Sequence, residues 1–361
     1  MTDRPIPIAD TPEALSPGWL TAALSDSGVL DGGRVMDATL EPIGTGQMCD
    51  CVRIDIHYDR RTDAPRSIVA KLPAADERSR ATAKSLRSYE NEVRFYQELA
   101  PKLPIRTPLA YYADIDCESA SFVLLLEDLA PAQQGDQLAG CSPQQAEIAV
   151  QEMVKLHASR WDDPSLSDIE WLHGDKAANT QFLAALLPGL WESFRDRYDA
   201  DLGRDVVDAG TVLFANIETY LFAEPGPLTV VHGDYRLDNL LFDPAPGGDP
   251  IAVVDWQMCT DGPAMNDVAY FIGAGLRFDD RRAFEADLVS HYHDALSGAG
   301  VTNYSLDQCW RDYRRGTWSG LIMAVAASML VERTARGDQM FLTMAERHSR
   351  HALDLDAPET I

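Results

Sequence analysis

After Ser16 and Pro17, apolar residues recur at helical spacing at Trp19, Leu20, Ala23 and Leu24, and Gly28 follows. A hydroxyl ahead of the first turn and a glycine behind the last predict a capped entry helix. Three short runs come next, Thr39 to Ile43, Cys51 to Tyr58 and Ser67 to Leu72. Their strand-like alternation and β-branched residues, with turn signals between them, predict an antiparallel sheet. Ala83 to Leu99 has the pattern of one charged amphipathic helix, and Ser121 to Leu126 is an almost unbroken apolar run suited to a buried strand. Leu129-Ala130-Pro131 ends that run. From Gln144 onward helical spacing dominates, interrupted by a Pro- and Gly-marked stretch at Glu224 to Pro227 that leads into Leu228 to His232. The expected division is a sheet-based domain over 1–129 and a mainly helical one over 130–361.

With 361 residues the chain is long enough for two cores, and 45% hydrophobic against 24% charged residues is a globular composition, with only about the first ten residues reading as a loose tail. The formal charge of -26 disfavours nucleic acid and anionic membrane as partners, since both repel an acidic surface. The six cysteines form no C-x-x-C pair and have no histidines at zinc spacing, so they are expected as reduced thiols. The N-terminus lacks a basic-then-apolar signal pattern, and the longest apolar stretch, Leu321 to Val331, is too short to span a bilayer. A cytoplasmic location is expected.

The strongest chemical signal runs from Thr229 to Trp256, which reads as strand, loop, strand, tight turn, strand. A hairpin closed by a turn containing Gly247 and Gly248 would carry Asp255 back beside Asp234 and Asn239. One carboxylate and one amide suit Mg2+, which takes oxygen ligands and keeps much of its water. Asp255 and Asn239 are the candidate metal ligands. Asp234 then remains to accept a hydroxyl proton. Its spacing to Asn239, D-x-x-x-x-N, is that of the protein-kinase catalytic loop.

His232-Gly233-Asp234 through Asn239 resembles the H-G-D-x-x-x-x-N signature of the aminoglycoside phosphotransferase and choline kinase superfamily. The continuation from Asp255 to Phe271 looks most like its ecdysteroid-kinase-like branch. The resemblance implies an α+β, protein-kinase-like fold of two lobes and a small-molecule kinase using ATP and Mg2+. It also implies that Asp267 braces the catalytic loop, although a helix N-cap would account for the same residue. Arg236 is a candidate catalytic residue that either steadies the transferred phosphate or forms a salt bridge. His232 is expected to hydrogen-bond the loop backbone. A second tripeptide, His173-Gly174-Asp175, lacks the leading strand and the later hairpin, so it reads as a surface turn joining helices.

A kinase must also grip its nucleotide, and the first domain offers the parts in the required order. Lys71 lies on a predicted strand and should contact the α- and β-phosphates. Glu92 is its preferred partner by resemblance to the branch, which has a glutamate three residues before a Phe-Tyr pair; Glu90 is the alternative. Gly44, Thr45 and Gly46 begin a loop of small residues able to cover phosphate, although Cys49 stands where protein kinases have a third glycine. Glu127 and Leu129 mark the strand end and hinge expected to face adenine. His157, in a recurring Leu-His-Ala helix pattern, reads as a core histidine.

The partners expected are a nucleotide and a small hydroxylated acceptor, with no nucleic acid and no membrane, and the chain as a monomer or homodimer. The acceptor should lie against the late helices around Trp310, Trp318, Met323, Met329 and Met340, most of which will be core. Asp261 could hold a cationic acceptor, whereas a hydroxylated lipophile would use the apolar late helices. A nucleotide-binding regulator without turnover is the alternative from another class. It fits less well because neither the base nor a metal ligand is missing.

Overall fold

The computed structural model describes residues 6–44, 48–223, 226–243 and 248–361. Backbone contacts divide the chain into two compact units, Met1–Lys102 with Thr107–Pro131 and Leu103–Arg106 with Ala132–Ile361. The short segment 103–106 joins the second unit because Arg106 is tied there at both ends. Its amide donates to the Glu152 carboxylate at 2.5 Å and its carbonyl accepts from Val253 at 2.9 Å.

In the first unit, α1 (Pro17–Asp26) starts where the Ser16 hydroxyl accepts the Trp19 amide. Strands β1 (Val35–Ile43), β2 (Cys49–Tyr58) and β3 (Ser67–Pro73) follow. Helices α2 (Glu77–Ser85) and α3 (Ser88–Arg94) precede β4 (Ala110–Asp116) and β5 (Ser121–Glu127). The strands form one antiparallel sheet in the order β1-β2-β3-β5-β4. Because side chains alternate across a strand, Ile68, Ala70 and Leu72 enter one core with Val52, Ile54 and the buried face of α1. Lys71 therefore belongs to the opposite face.

The single helix expected over Ala83 to Leu99 is two helices. Arg87 adopts a left-handed conformation, φ 56°, which ends α2 and re-aims α3, and a π-helical turn continues over Phe95–Leu99. The break lets α3 bury Tyr89, Glu92 and Val93 together, with the Tyr89 ring 4.5 Å from Phe122 of β5.

The second unit opens with β6 (Gln133–Gln134) and α4 (Pro143–Ser159), whose start is a reciprocal cap between Ser142 and Gln145. Then come α5 (Glu170–His173), α6 (Lys176–Tyr198), α7 (Arg204–Ala215) and α8 (Ile217–Phe222). Strands β7 (Leu228–Val231), β8 (Leu240–Phe242), β9 (Ile251–Val253) and β10 (Thr260–Pro263) form two small sheets, β10-β7 and β6-β8-β9. Helices α9 (Ala264–Gly275), α10 (Phe278–Gly298), α11 (Leu306–Leu330) and α12 (Ala335–Asp354) complete the unit. Its main core joins α6, α7, α9, α11 and α12 through residues such as Trp191, Phe214, Trp318 and Met344. Among the described residues, no helix is long and apolar enough to cross a membrane.

Candidate active site

The loop after β7 is positioned by backbone bonds on both sides. β8 and β9 pair as an antiparallel hairpin, with Leu240 opposite Val253. Beyond the hairpin the Val254 amide donates to the Asn239 carbonyl at 3.0 Å, and the Val254 carbonyl accepts from His232 Nε2 at 3.0 Å. The residue before Asp255 is thus clamped between His232 and Asn239. Asp255 itself turns away from strand geometry, with φ 68°. His232 Nδ1 accepts the Asp234 amide at 3.2 Å, which places the ring hydrogen on Nε2. His232 does what a loop-holding histidine should.

Asp267, in the first turns of α9, accepts the amides of His232 at 2.7 Å and Gly233 at 3.0 Å. It does not cap its own helix, whose N-cap is Pro263. His157, fully buried, stands 3.4 Å from Asp267 through Nε2 and 2.9 Å from the Tyr292 hydroxyl through Nδ1. Gly233 has φ 78°, and a Cβ there would collide with the Met258 carbonyl oxygen. Only glycine meets both demands.

The Asp234 carboxylate lies within three donors. Oδ2 accepts Arg236 Nε and Asn239 Nδ2, each at 3.0 Å, and Oδ1 accepts the Tyr270 hydroxyl at 2.7 Å. Arg236 is mostly buried and also bonds Asp238, with Met340 Sδ 3.2 Å from the same guanidinium. It is therefore an internal bridge between two carboxylates rather than a surface pair. Burial works against its charge, but Asp234 and Asp238 outweigh that and raise its pKa above the usual value. The Tyr270 phenol is likewise pushed well above its usual range, first by burial and then by the Asp234 charge.

In the first unit, Lys71 Nζ meets Glu92 Oε1 at 2.6 Å, and both side chains are buried. Glu90 instead pairs with Arg87. Gly44, at the end of β1, has φ 77°; Thr45 and Gly46 lie outside the described residues. The Glu127 amide donates to the Leu109 carbonyl at 2.8 Å and its carboxylate accepts the Leu109 amide at 3.1 Å, so this strand-end residue is tied to its own sheet. Leu129 follows, buried.

Other residues surround the loop without a local sequence signal. Gln137, fully buried in the segment before α4, accepts the Leu237 amide on its side-chain Oε1 at 2.9 Å and donates its backbone N–H to Asp238 Oδ1 at 3.0 Å. Arg347 of α12 fixes that segment by donating to the carbonyls of Gln137, Leu138 and Ala274. Asp261, considered for a cationic acceptor, is buried; its Oδ2 is bonded by Lys176 Nζ at 2.6 Å and His173 Nδ1 at 2.8 Å, while its Oδ1 takes no hydrogen bond among the described residues. The His173-Gly174-Asp175 tripeptide is the joint between α5 and α6, with Asp175 capping α6 through the Ala178 amide.

Residues 57–302 match the family model described as "Phosphotransferase enzyme family", APH. The chain belongs to the APH phosphotransferase family. Among solved structures, this APH chain is similar to the GDP and kanamycin complex of APH(2")-IIia, at 12% identity and TM-score 0.54 over 95% of this chain and 99% of that one. A microcompartment-associated aminopropanol kinase gives 14% and 0.52 over 95% and 100%. An ethanolamine kinase from Plasmodium vivax gives 10% and 0.52 over 94% and 89%. At these identities the likeness shows a kinase-like fold. Curated relatives match by segments: 24% identity over 170 residues to acyl-CoA dehydrogenase family member 11 of Gallus gallus, and 52% over 42 residues to family member 10 of Mus musculus. The chain covers 20% and 4% of their respective lengths.

For a metal, the donors of this APH chain are few and hard. Among the described residues, no three His, Cys, Asp or Glu side chains converge on one point. Asn239 turns its Nδ2 toward Asp234, which leaves its amide oxygen on the other side, and the clamped Val254 brings Asp255 next in line. One amide oxygen and one carboxylate fit a cation that completes its shell with water and phosphate oxygens, as Mg2+ does.

Proposed function

We propose that this phosphotransferase is a small-molecule kinase that moves the γ-phosphate of ATP to an acceptor hydroxyl with Asp234 as base. The observation that carries the reading is the Asp234 carboxylate, fixed by Arg236, Asn239 and Tyr270 at the end of a braced loop. A carboxylate so held is aimed before substrate arrives, and little reorganisation remains for the proton transfer. Asn239 and Asp255 would hold Mg2+, whose charge offsets that of the terminal phosphates. Lys71, fixed by Glu92, would serve the α- and β-phosphates, with Gly44 at the start of the loop toward them and Leu129 toward adenine. Arg236 steadies the base and Asp238, a role that precedes any contact with phosphate.

Two acceptor classes follow from different supports. Amino alcohols and aminoglycosides follow the similar structures named for aminopropanol, ethanolamine and kanamycin. Hydroxylated lipophiles follow the ecdysteroid-kinase-like pattern after Asp255. The test is an ATP-consumption screen over aminoglycosides, choline-like amines, sugars and hydroxylated lipophiles, with Asp234→Asn as the blank. Turnover should fall about a hundredfold or more in the variant while nucleotide binding persists. Full activity in Asp234→Asn would remove the base from the mechanism.

A further inference from the structure

We infer that Asp234 Oδ1 is the atom that takes the acceptor's proton and that Tyr270 is the positioning residue that directs it. The inference rests on the kinase reading and narrows it to one oxygen. A carboxylate oxygen offers two lone-pair directions. Oδ2 spends both, on Arg236 Nε and Asn239 Nδ2. Among the described residues Oδ1 accepts one donor, the Tyr270 hydroxyl, and keeps one direction open.

Tyr270 is built to hold that position. Its ring lies parallel to the His348 imidazole, with centroids 5.3 Å apart and planes 8° from each other. His348 fits against Gly273 and Gly320, where any Cβ would overlap the imidazole. The stack holds one face of the Tyr270 ring, and burial with the Asp234 charge keeps the phenol protonated as a donor beside the carboxylate. On α9, Asp267 and Tyr270 are one turn apart and so share a face. One fixes the loop backbone and the other fixes the base.

In the step itself, the acceptor O–H bond breaks and its proton passes to Oδ1 as the oxygen bonds the γ-phosphorus of ATP. The bond from that phosphorus to the bridging oxygen breaks, its electron pair leaving on ADP. The proton later returns to water.

Tyr270→Phe keeps the ring and its stack and removes only the donor. With Mg-ATP and water standing in for the acceptor, we expect kcat for ADP formation to fall about tenfold, the scale of one hydrogen bond to a charged group, with KM for ATP and the melting temperature unchanged. In an Asp234→Asn background the same change should add no further loss. Wild-type kcat in Tyr270→Phe, or an equal loss in both backgrounds, overturns the inference while leaving Asp234 as base. Full turnover in Asp234→Asn alone overturns the underlying reading instead. A ring-fluorinated tyrosine at 270 retains the fold and hydroxyl but strengthens the donor; an unchanged kcat there also counts against the assignment.

Discussion

The Asp267 carboxylate grips the His232 amide across 35 residues of sequence, at 2.7 Å, and takes the next amide as well. Two amide bonds to one buried carboxylate stabilise the loop by about 3 kcal/mol. Asp267→Ala should lower the unfolding free energy by that amount and reduce kcat more than nucleotide affinity. Chemical denaturation and nucleotide titration measure the two effects separately.

Gly233→Ala should be harsher than its size suggests. The new Cβ meets the Met258 carbonyl, and alanine resists φ 78°. A loss of about 2 kcal/mol in stability is expected, together with near-complete loss of turnover. A soluble variant with ordinary activity would show that the loop tolerates another path.

Lys71 and Glu92 are a buried pair, so removing one partner strands the other. Glu92→Gln should weaken ATP binding, and Lys71→Met more so. Glu90→Gln should do neither, because Glu90 pairs with Arg87. Calorimetric titration with ATP ranks the three.

Asp255→Ala should abolish the dependence of turnover on added Mg2+ by abolishing turnover, while leaving the fold intact. A variant whose Mg2+ titration curve matches wild type would exclude Asp255 as a ligand.

Stability should fall in mild acid. Burial first, and then the charges of His351, Arg347 and Arg281, hold the His348 imidazole well below its usual range. As pH drops below about 6.5, the unfolded chain takes up a proton that the folded chain refuses, so stability is lost at about 1.4 kcal/mol per pH unit for this group. His348→Gln should flatten that slope by about one proton. Denaturant midpoints at several pH values supply the comparison.

The segment from Thr229 to Trp256 was legible because its parts are local: strand, loop and hairpin within thirty residues or so. Lys71 and Glu92 were legible from their order. The break at Arg87 was not, since residues on both sides keep helical spacing and one left-handed residue leaves no trace in it. The strand β4 was missed because it is an edge strand without clear alternation. Tyr270 had a faint signal, one helical turn beyond Asp267. Gln137 had none, because a glutamine in a polar connection looks like surface until its partners, about a hundred residues away, arrive.

Arg347 donates to the carbonyl of Gln137, which precedes it by 210 residues. Because synthesis runs from the N-terminus, β6 and Gln137 can meet β8, Leu237 and Asp238 long before α12 has left the ribosome, yet the Gln137 and Leu138 carbonyls lack their Arg347 donor until then. Stalled nascent chains ending before Arg347 should thus be digested by protease around residues 133–141, and release of the full chain should bring protection and catalysis together.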